Sequence, residues 1–565
     1  MHIAIAPRPV PASSSGAVVL AFALGLALAS CKTAAEQRAD ADREVYALIE
    51  QRRAAIGSAD RPFTIEPDPN SLRRKLERGE VDLLQPLTLV QCLDIAAENS
   101  HDFQDQRESF YLSALDLTLE RYRFAFQTQG VLGALLSGDG DGATSASGLA
   151  DLRLARLLGT GALIAGNIGL SVARDLTHGD AFNLVTNAGV AISQPLLAGS
   201  NPRIVREPLT QAERNLVYAS RSYERFRRTY AVDVSGRVYR ILQQADAVVN
   251  EESNYANLQI LRKRNEALAE SGRLSAIEVD QARQDELRSR DRLVQERQRY
   301  ESLIDGFKVF LGLPVPITLS IDPAELTRLG EREPEEFNLD MAQLDLLALR
   351  LRLDHQTALD RRDDAERGAE VAADALRSSL NLTSSVGVES PEGRPLDIRS
   401  QNLTWTVGLD ADIALDRFPE RNRFRAALIQ VEATRRDAEA SGDNIQVALR
   451  NDLRETAATL EGYKIQRLAV TIAERRIESA TMNLEAGRAT TRDLLESQAA
   501  LLEAKNAATA ALIDYQLARL ALFRDLELLR VDQNGIGFER ELLASATPAA
   551  GNEPVQGNPP AEQRP

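Results

Sequence analysis

Glu270-Ser271-Gly272-Arg273 returns roughly 215 positions later as Glu485-Ala486-Gly487-Arg488, and each copy interrupts a long helical stretch rich in Ala, Leu and charged residues. Without gaps the match runs on through Ser275/Thr490, Glu278/Asp493 and Val279/Leu494 to Tyr300/Tyr515. A repeat constrains the fold before any single motif does, because each copy must form the same supersecondary block. The period is nearly half of the 565 residues, far longer than a solenoid unit. Two copies of a large block are expected, each with a very long helix, a turn at the glycine and a shorter return helix.

Composition agrees with long helices. Hydrophobic residues make up 44% and charged residues 27%, while aromatics reach only 5%; the apolar share is mainly Ala, Leu and Val, as in helices in coiled contact. The second return helix carries a heptad at Leu494, Leu501, Ala508, Tyr515 and Leu522, with Ser497, Ala504, Ala511 and Ala518 at the companion position. Small residues along one seam let helices approach closely. A formal net charge of −16 disfavours a nucleic-acid partner, whose backbone must be met by clustered Lys and Arg. His2, His101, His178 and His355 lie far apart, with no metal-ligand spacing or nucleophile pair among them. Residues 137–148 (SGDGDGATSASG) lack the spacing of a calcium loop. The expectation is a protein that is not an enzyme and uses no cofactor or metal.

The apolar run Ala17 to Ala29 is shorter than the roughly 20 residues a membrane helix needs and suits the core of an export signal. It ends in Leu28-Ala29-Ser30-Cys31, which resembles the lipobox of bacterial lipoproteins. That resemblance implies cleavage before Cys31 and lipid attachment to it; ordinary cleavage with Cys31 incidental is the plainer alternative. Two or three acyl chains would anchor the chain firmly, where one binds only marginally. Lys32 after the cysteine is compatible, in that family, with outer-membrane sorting. Cys92, among Leu89, Leu93, Ala96 and Ala97, reads as a small buried hydrophobe.

The chain then divides into a signal peptide (1–30), an N-terminal tether (31–84) with one short helix near 42–56, a first helix-strand-helix block (85–312), a linker (313–338) with a short strand at 317–321, a second block (339–532) and a disordered tail (533–565). Helices are expected at 87–123, 205–269, 275–310, 340–379 and 419–485, with the last return helix reaching about 529. Pro419 suits a first helical turn with Asp416 as its capping oxygen. At least three strand-like segments lie in 124–195, where Ile164, Ile168, Leu170 and Val172 face away from Asn167, Gly169 and Ser171. Two more strands are expected at 380–390 and 402–415.

Residues 402–415 alternate most clearly. Leu403, Trp405, Val407 and Leu409 share one face, and Thr404, Thr406, Gly408 and Asp410 the other. This is longer than the 9–11 residues of a tilted membrane strand, and Trp405 suits an aromatic girdle. A half-buried strand in a soluble sheet remains the other reading. Since open sheet edges cannot sit in lipid, a membrane sheet this small requires several subunits. Glu278 and Asp493 each fall six residues beyond a turn glycine, and Glu496 lies one helical turn past Asp493. Around an axis such carboxylates form rings that attract cations; otherwise they line a solvated face.

Leu87-Thr88-Leu89, Leu93, Ala96-Ala97-Glu98-Asn99-Ser100, Ser193-Gln194-Pro195-Leu196-Leu197 and the paired glycine turns together resemble the TolC family of outer-membrane efflux proteins over about 85–530. The resemblance implies a mainly α fold with transmembrane β: a homotrimer whose 12-stranded β-barrel, four strands per chain, continues into a long periplasmic α-helical barrel, with an internal two-fold repeat. It implies an exit duct in the outer membrane, lipid-anchored and largely periplasmic, served by an inner-membrane transporter of RND or ABC type through a periplasmic adaptor protein. Gly272, Arg273, Gly487 and Arg488 then match the adaptor-contacting tips, and Asp493 and Glu496 the acidic constriction. Leu484 and Ala489 stand where the best-known members carry a tyrosine and an arginine that brace the closed tip. A lipid-anchored periplasmic coiled coil that tethers without conducting is the competing reading.

Overall fold

The computed structural model describes residues 32–56, 63–140, 143–176, 183–331, 334, 340–413, 415–532 and 535–539. The export signal, Cys31 and the chain beyond 539 lie outside the described residues.

The helices are α1 (Ala34–Ile56), α2 (Leu72–Glu77), α3 (Leu89–Asn99), α4 (His101–Arg123), α5 (Pro202–Glu270), α6 (Ala276–Phe310), α7 (Ala324–Glu331), α8 (Met341–Leu351), α9 (Leu353–Asp374), α10 (Phe418–Glu485) and α11 (Thr491–Asp525). The strands are β1 (Gln127–Gly138), β2 (Thr144–Leu157), β3 (Leu163–Asp175), β4 (Asn183–Pro195), β5 (Ser379–Glu389), β6 (Leu403–Asp412), β7 (Leu529–Asp532) and β8 (Gly535–Phe538). Element lengths run in parallel through the two halves. α3, α4, α5 and α6 have 11, 23, 69 and 35 residues, and α8, α9, α10 and α11 have 11, 22, 68 and 35.

The helix boundaries have local causes. Thr88 caps α3 reciprocally with Gln91, each side chain accepting from the other's backbone N–H at 3.3 and 2.9 Å. The stretch expected as one helix over 87–123 breaks at Ser100, and that over 340–379 breaks at Arg352; both residues are extended. Asp416 accepts from the Phe418 N–H at 2.9 Å at the start of α10. Two further expectations are corrected. The strand at 317–321 is a single parallel bridge between Ile321 and Leu87. The last return helix stops at Asp525 and gives way to the β7–β8 hairpin, which carries ordered chain into the segment assigned to the tail. The strand-like segments expected in 124–195, at least three, are four strands, the even number that an additional hairpin supplies.

Two compact units can be distinguished. The first takes in α1, the large sheet and the adjoining helix ends, within 111–217 and 361–434. Its sheet is an antiparallel meander of six strands, in the order β1-β2-β3-β4-β5-β6, with β4 and β5 adjacent although distant in sequence. Four strands per chain, as the resemblance implies, is therefore not what the sheet contains. Beside it, Tyr111 donates to Asp42 of α1 at 2.5 Å, and its ring packs edge-on against Tyr46.

The second unit, from 218–360 and 435 onward with 63–110, holds an aromatic core. Phe103 meets Tyr223, Phe226 and Tyr230 at 5.6 to 6.1 Å, and Tyr230 stacks on Phe310 at 5.1 Å. The end of α11 sits in an ion network: Arg225 reaches Glu527 at 2.7 Å and Asp525 at 3.4 Å, Arg228 also pairs with Glu527, and Arg352 binds Asp354 at 2.7 Å. Glu527, Asp525 and Arg352 are largely buried, so each of these charges needs its partner.

Candidate functional site

Strand register decides which side chains share a face of the sheet. Leu403, Trp405, Val407 and Leu409 of β6 lie opposite Val388, Val386, Ser384 and Leu382 of β5. The same row continues through Ala188, Val190 and Ile192 of β4 to Ile168, Gly166 and Ile164 of β3. It passes to Leu152 and Leu154 of β2, and then to Gly130 and Thr128 of β1, with Leu132, Ala134 and Leu136 further along that strand. One apolar face thus crosses all six strands. It is bare: Trp405 is 70% exposed, Ile168 62% and Leu132 56%. In a protein bathed only by water such a face would be covered.

The opposite face is polar along most of its extent. Asp151 pairs with Arg153 at 2.6 Å, and Asn167, Asn187, Thr383 and Asp410 lie on the same side by register. Gly169 makes room there, since a Cβ on it would fall 2.2 Å from the Asn187 amide oxygen. Leu135 and Leu149 interrupt this polar side in the first hairpin.

The strands have 10 to 14 residues, long enough to cross a bilayer at the tilt of a barrel strand. Among the described residues no helix is long and apolar enough to do so. By register, the chain enters and leaves the sheet on the helical side at one end: α4 into β1, β4 toward α5, α9 into β5 and β6 toward α10. Exposed Phe126 marks that end, under the Arg156 guanidinium at 4.6 Å, and Trp405 lies toward the other. Aromatic side chains near both ends of a membrane strand fit the two water interfaces.

The glycine turns lie in the second unit. Gly272 and Gly487 have φ of 72° and 68°, the left-handed conformation that glycine takes without a Cβ penalty. The Arg273 N–H reaches back to the Leu268 carbonyl at 2.9 Å, and that of Arg488 to Asn483 at 2.8 Å, closing the helix ends as glycine caps do. Arg273 and Arg488 are exposed.

The expected acidic residues divide by role. Ser275 and Glu278 form a capping box at the start of α6, and Thr490 and Asp493 form one at α11. Asp493 Oδ2 accepts from the Thr490 N–H and hydroxyl, both at 2.8 Å. The Thr490 backbone N–H and then its hydroxyl hold the Asp493 carboxyl below its usual range. Glu496 makes no cap; it is exposed, with the Arg476 guanidinium 3.9 Å away.

Sequence reading took Glu278 and Asp493 as charges and overlooked Ser-x-x-Glu and Thr-x-x-Asp as cap signals. It also missed Asn265, buried on α5, which donates to the Thr491 hydroxyl of α11 at 3.2 Å. No periodicity marks that contact.

A sheet with an exposed apolar face, joined at one end to helices of nearly seventy residues, is the fold of the outer-membrane channel proteins. The chain matches the CmeC outer membrane channel of Campylobacter jejuni at 14% identity over 78% of this chain and 85% of that one, with a TM-score of 0.58. It matches the outer membrane protein VceC of Vibrio cholerae at 13% over 78% and 95%, TM-score 0.57. It also matches the open-state MtrE outer membrane channel of Neisseria gonorrhoeae at 13% over 78% and 88%, TM-score 0.52. These likenesses establish the fold, mostly helical with one large sheet as in the TolC-like channels. No known sequence family matches the chain, and no curated protein does.

Proposed function

We propose that the chain is a subunit of an outer-membrane channel: a passive exit duct of three copies, loaded by an inner-membrane transporter of RND or ABC type through a periplasmic adaptor. The bare apolar face of the six-stranded sheet carries this reading. Lipid solvates such a face where water does not, and the backbone of a sheet can enter a bilayer only in a closed barrel.

The paired helix lengths support two copies of one block forming a periplasmic wall. Structural neighbours described as outer membrane channels support the location. Gly272-Arg273 and Gly487-Arg488 are then the tips where the adaptor docks, and Glu496, with Asp493 and Glu278, narrows the bore electrostatically. Acylation of Cys31 would anchor each copy in the outer membrane. A non-conducting tether has no use for an apolar-out sheet.

Planar-bilayer recording on the protein purified in mild detergent tests the proposal. Discrete conductance steps are expected, together with an oligomer that heat dissociates on electrophoresis. A helical monomer that stays soluble without detergent and conducts nothing would overturn it.

A further inference from the structure

The channel reading leaves open how the sheet closes, and the two edge strands bear on that. We propose that β1 of one copy pairs antiparallel with β6 of a second copy, so that all six strands, including the hairpin beyond the expected four, enter one continuous barrel wall. This rests on the channel reading and goes beyond it in naming the partner surface and the strand count.

Edge strands of soluble proteins are blunted by proline, lysine or bulges so that they do not pair with other chains. β1 (QTQGVLGALLSG) and β6 (LTWTVGLDAD) contain no proline, lysine or arginine. β1 pairs with β2 over twelve consecutive positions without a bulge, and β6 with β5 over ten. Both edges are long and without a bulge, and the charges they carry are Asp410 and Asp412, at the helical end of β6. Their outer backbone groups need partners in lipid, where water supplies none.

Direction fits as well. Six antiparallel strands leave β1 and β6 running oppositely, so copies related by rotation about one axis, all with their helices at the same end, bring β1 beside β6 in antiparallel register. The apolar face reaches both edges, with Leu132 and Leu136 on β1 and Trp405 and Val407 on β6, so the seam continues that face, with Thr128 its polar position near the helical end.

Six strands per copy make eighteen in the three-copy assembly, where four would make twelve. With strands about 4.8 Å apart and tilted about 40°, the backbone radius grows from about 12 Å to about 18 Å. Barrels of that strand number hold an aqueous channel.

Paired cysteines in the full-length protein, in outer membranes and after mild detergent extraction, test the seam. Gln129→Cys on the polar side of β1 is combined in turn with Thr404→Cys, Thr406→Cys and Asp410→Cys on the polar side of β6. Ser385→Cys with Thr406→Cys, paired within the chain, reports that oxidation works. One edge combination is expected to give a reducible ladder ending at the closed oligomer, absent from each single variant. Cross-linking confined within one chain would mean that the sheet closes on itself and overturns the proposal. An intact, conducting oligomer with a positive control but no edge cross-link at any register overturns the seam and leaves the channel reading standing. A monomer that conducts nothing removes both. Electron cryomicroscopy of the unmodified protein should resolve six strands per copy in the wall; a β1–β2 hairpin standing outside it would refute the inference without any substitution.

Discussion

Asn265 and Thr491 belong to different halves of the chain, yet the Asn265 amide donates to the Thr491 hydroxyl at 3.2 Å with both residues almost wholly buried. One tip is thereby tied to the helix leaving the other. Losing one partner of a buried hydrogen bond costs about 1–3 kcal/mol, and removing both partners costs less than the sum. Asn265→Leu and Thr491→Val should each raise amide exchange near Gly272 and Gly487 several-fold, and the double variant should fall short of the product. Unchanged exchange in both single variants would dissolve the tie.

The capping box and the proposed constriction can be separated. Asp493→Asn weakens the box at α11 and should raise exchange in the first turn of α11. Glu496→Gln touches no cap, so exchange should stay as it is while cation preference in bilayer recordings falls. If Glu496→Gln leaves selectivity untouched, Glu496 does not line the bore.

Asp452 is pushed up to about 7 by burial and by the neighbouring Asp525 charge, against the pull of Arg524 and with Glu455 adding to the rise. Its folded-state pKa lies above the unfolded value, so its contribution is fully present below about pH 4 and is lost as pH rises through about 7. Asp525 is shifted the other way: the Arg524 hydrogen bond and charge, with Arg352 and Arg225, hold it down despite burial. Its contribution is present above the normal carboxylate range and disappears only in acid. Asp452→Asn should flatten the fall in thermal stability between about pH 4 and 7, whose slope is at most about 1.4 kcal/mol per pH unit for one proton, and should leave the protein more stable than its parent at pH 8. A parallel pH profile in the variant would count against the shift.

Glu527, two residues past the end of α11, has φ of 57°, a left-handed conformation in a residue that has a Cβ. The Leu528 N–H closes the turn on the Phe523 carbonyl at 2.9 Å, and Arg225 and Arg228 hold the Glu527 carboxylate. Glu527→Ala keeps the strained backbone and strips both arginines of a partner, so a loss of about 3–5 kcal/mol is expected. Glu527→Gly loses the same pairs but relieves the backbone, and should be less harmful by about 1 kcal/mol. Equal melting temperatures for the two variants would show that the left-handed turn carries no strain.

The glycine turns, the long helices and the alternation of β6 were legible because each is a local pattern: a Cβ-free position, a helical period, a two-residue period. β1 and β2 were not separable in the same way. Leu135-Leu136 places two large apolar residues on opposite faces, Leu149 sits on the polar side, and the small residues of Thr144–Gly148 carry little contrast. What makes strands of them is pairing with β3, whose alternation is clear. The acidic residues after each turn were legible as charges but not as caps, because the chain offers the same carboxylate for either task. The ion network at Glu527 joins residues some three hundred positions apart, and no window along the sequence contains it.

The sheet exchanges chain with the helices at one end only, which limits how such a protein can change in evolution. Inserting one strand would send every later helix to the wrong end of the sheet. Inserting a hairpin returns the chain to where it left, and α5 through α11 need not notice. A lineage can therefore widen such a sheet in steps of two strands per copy while keeping the helical part it inherited.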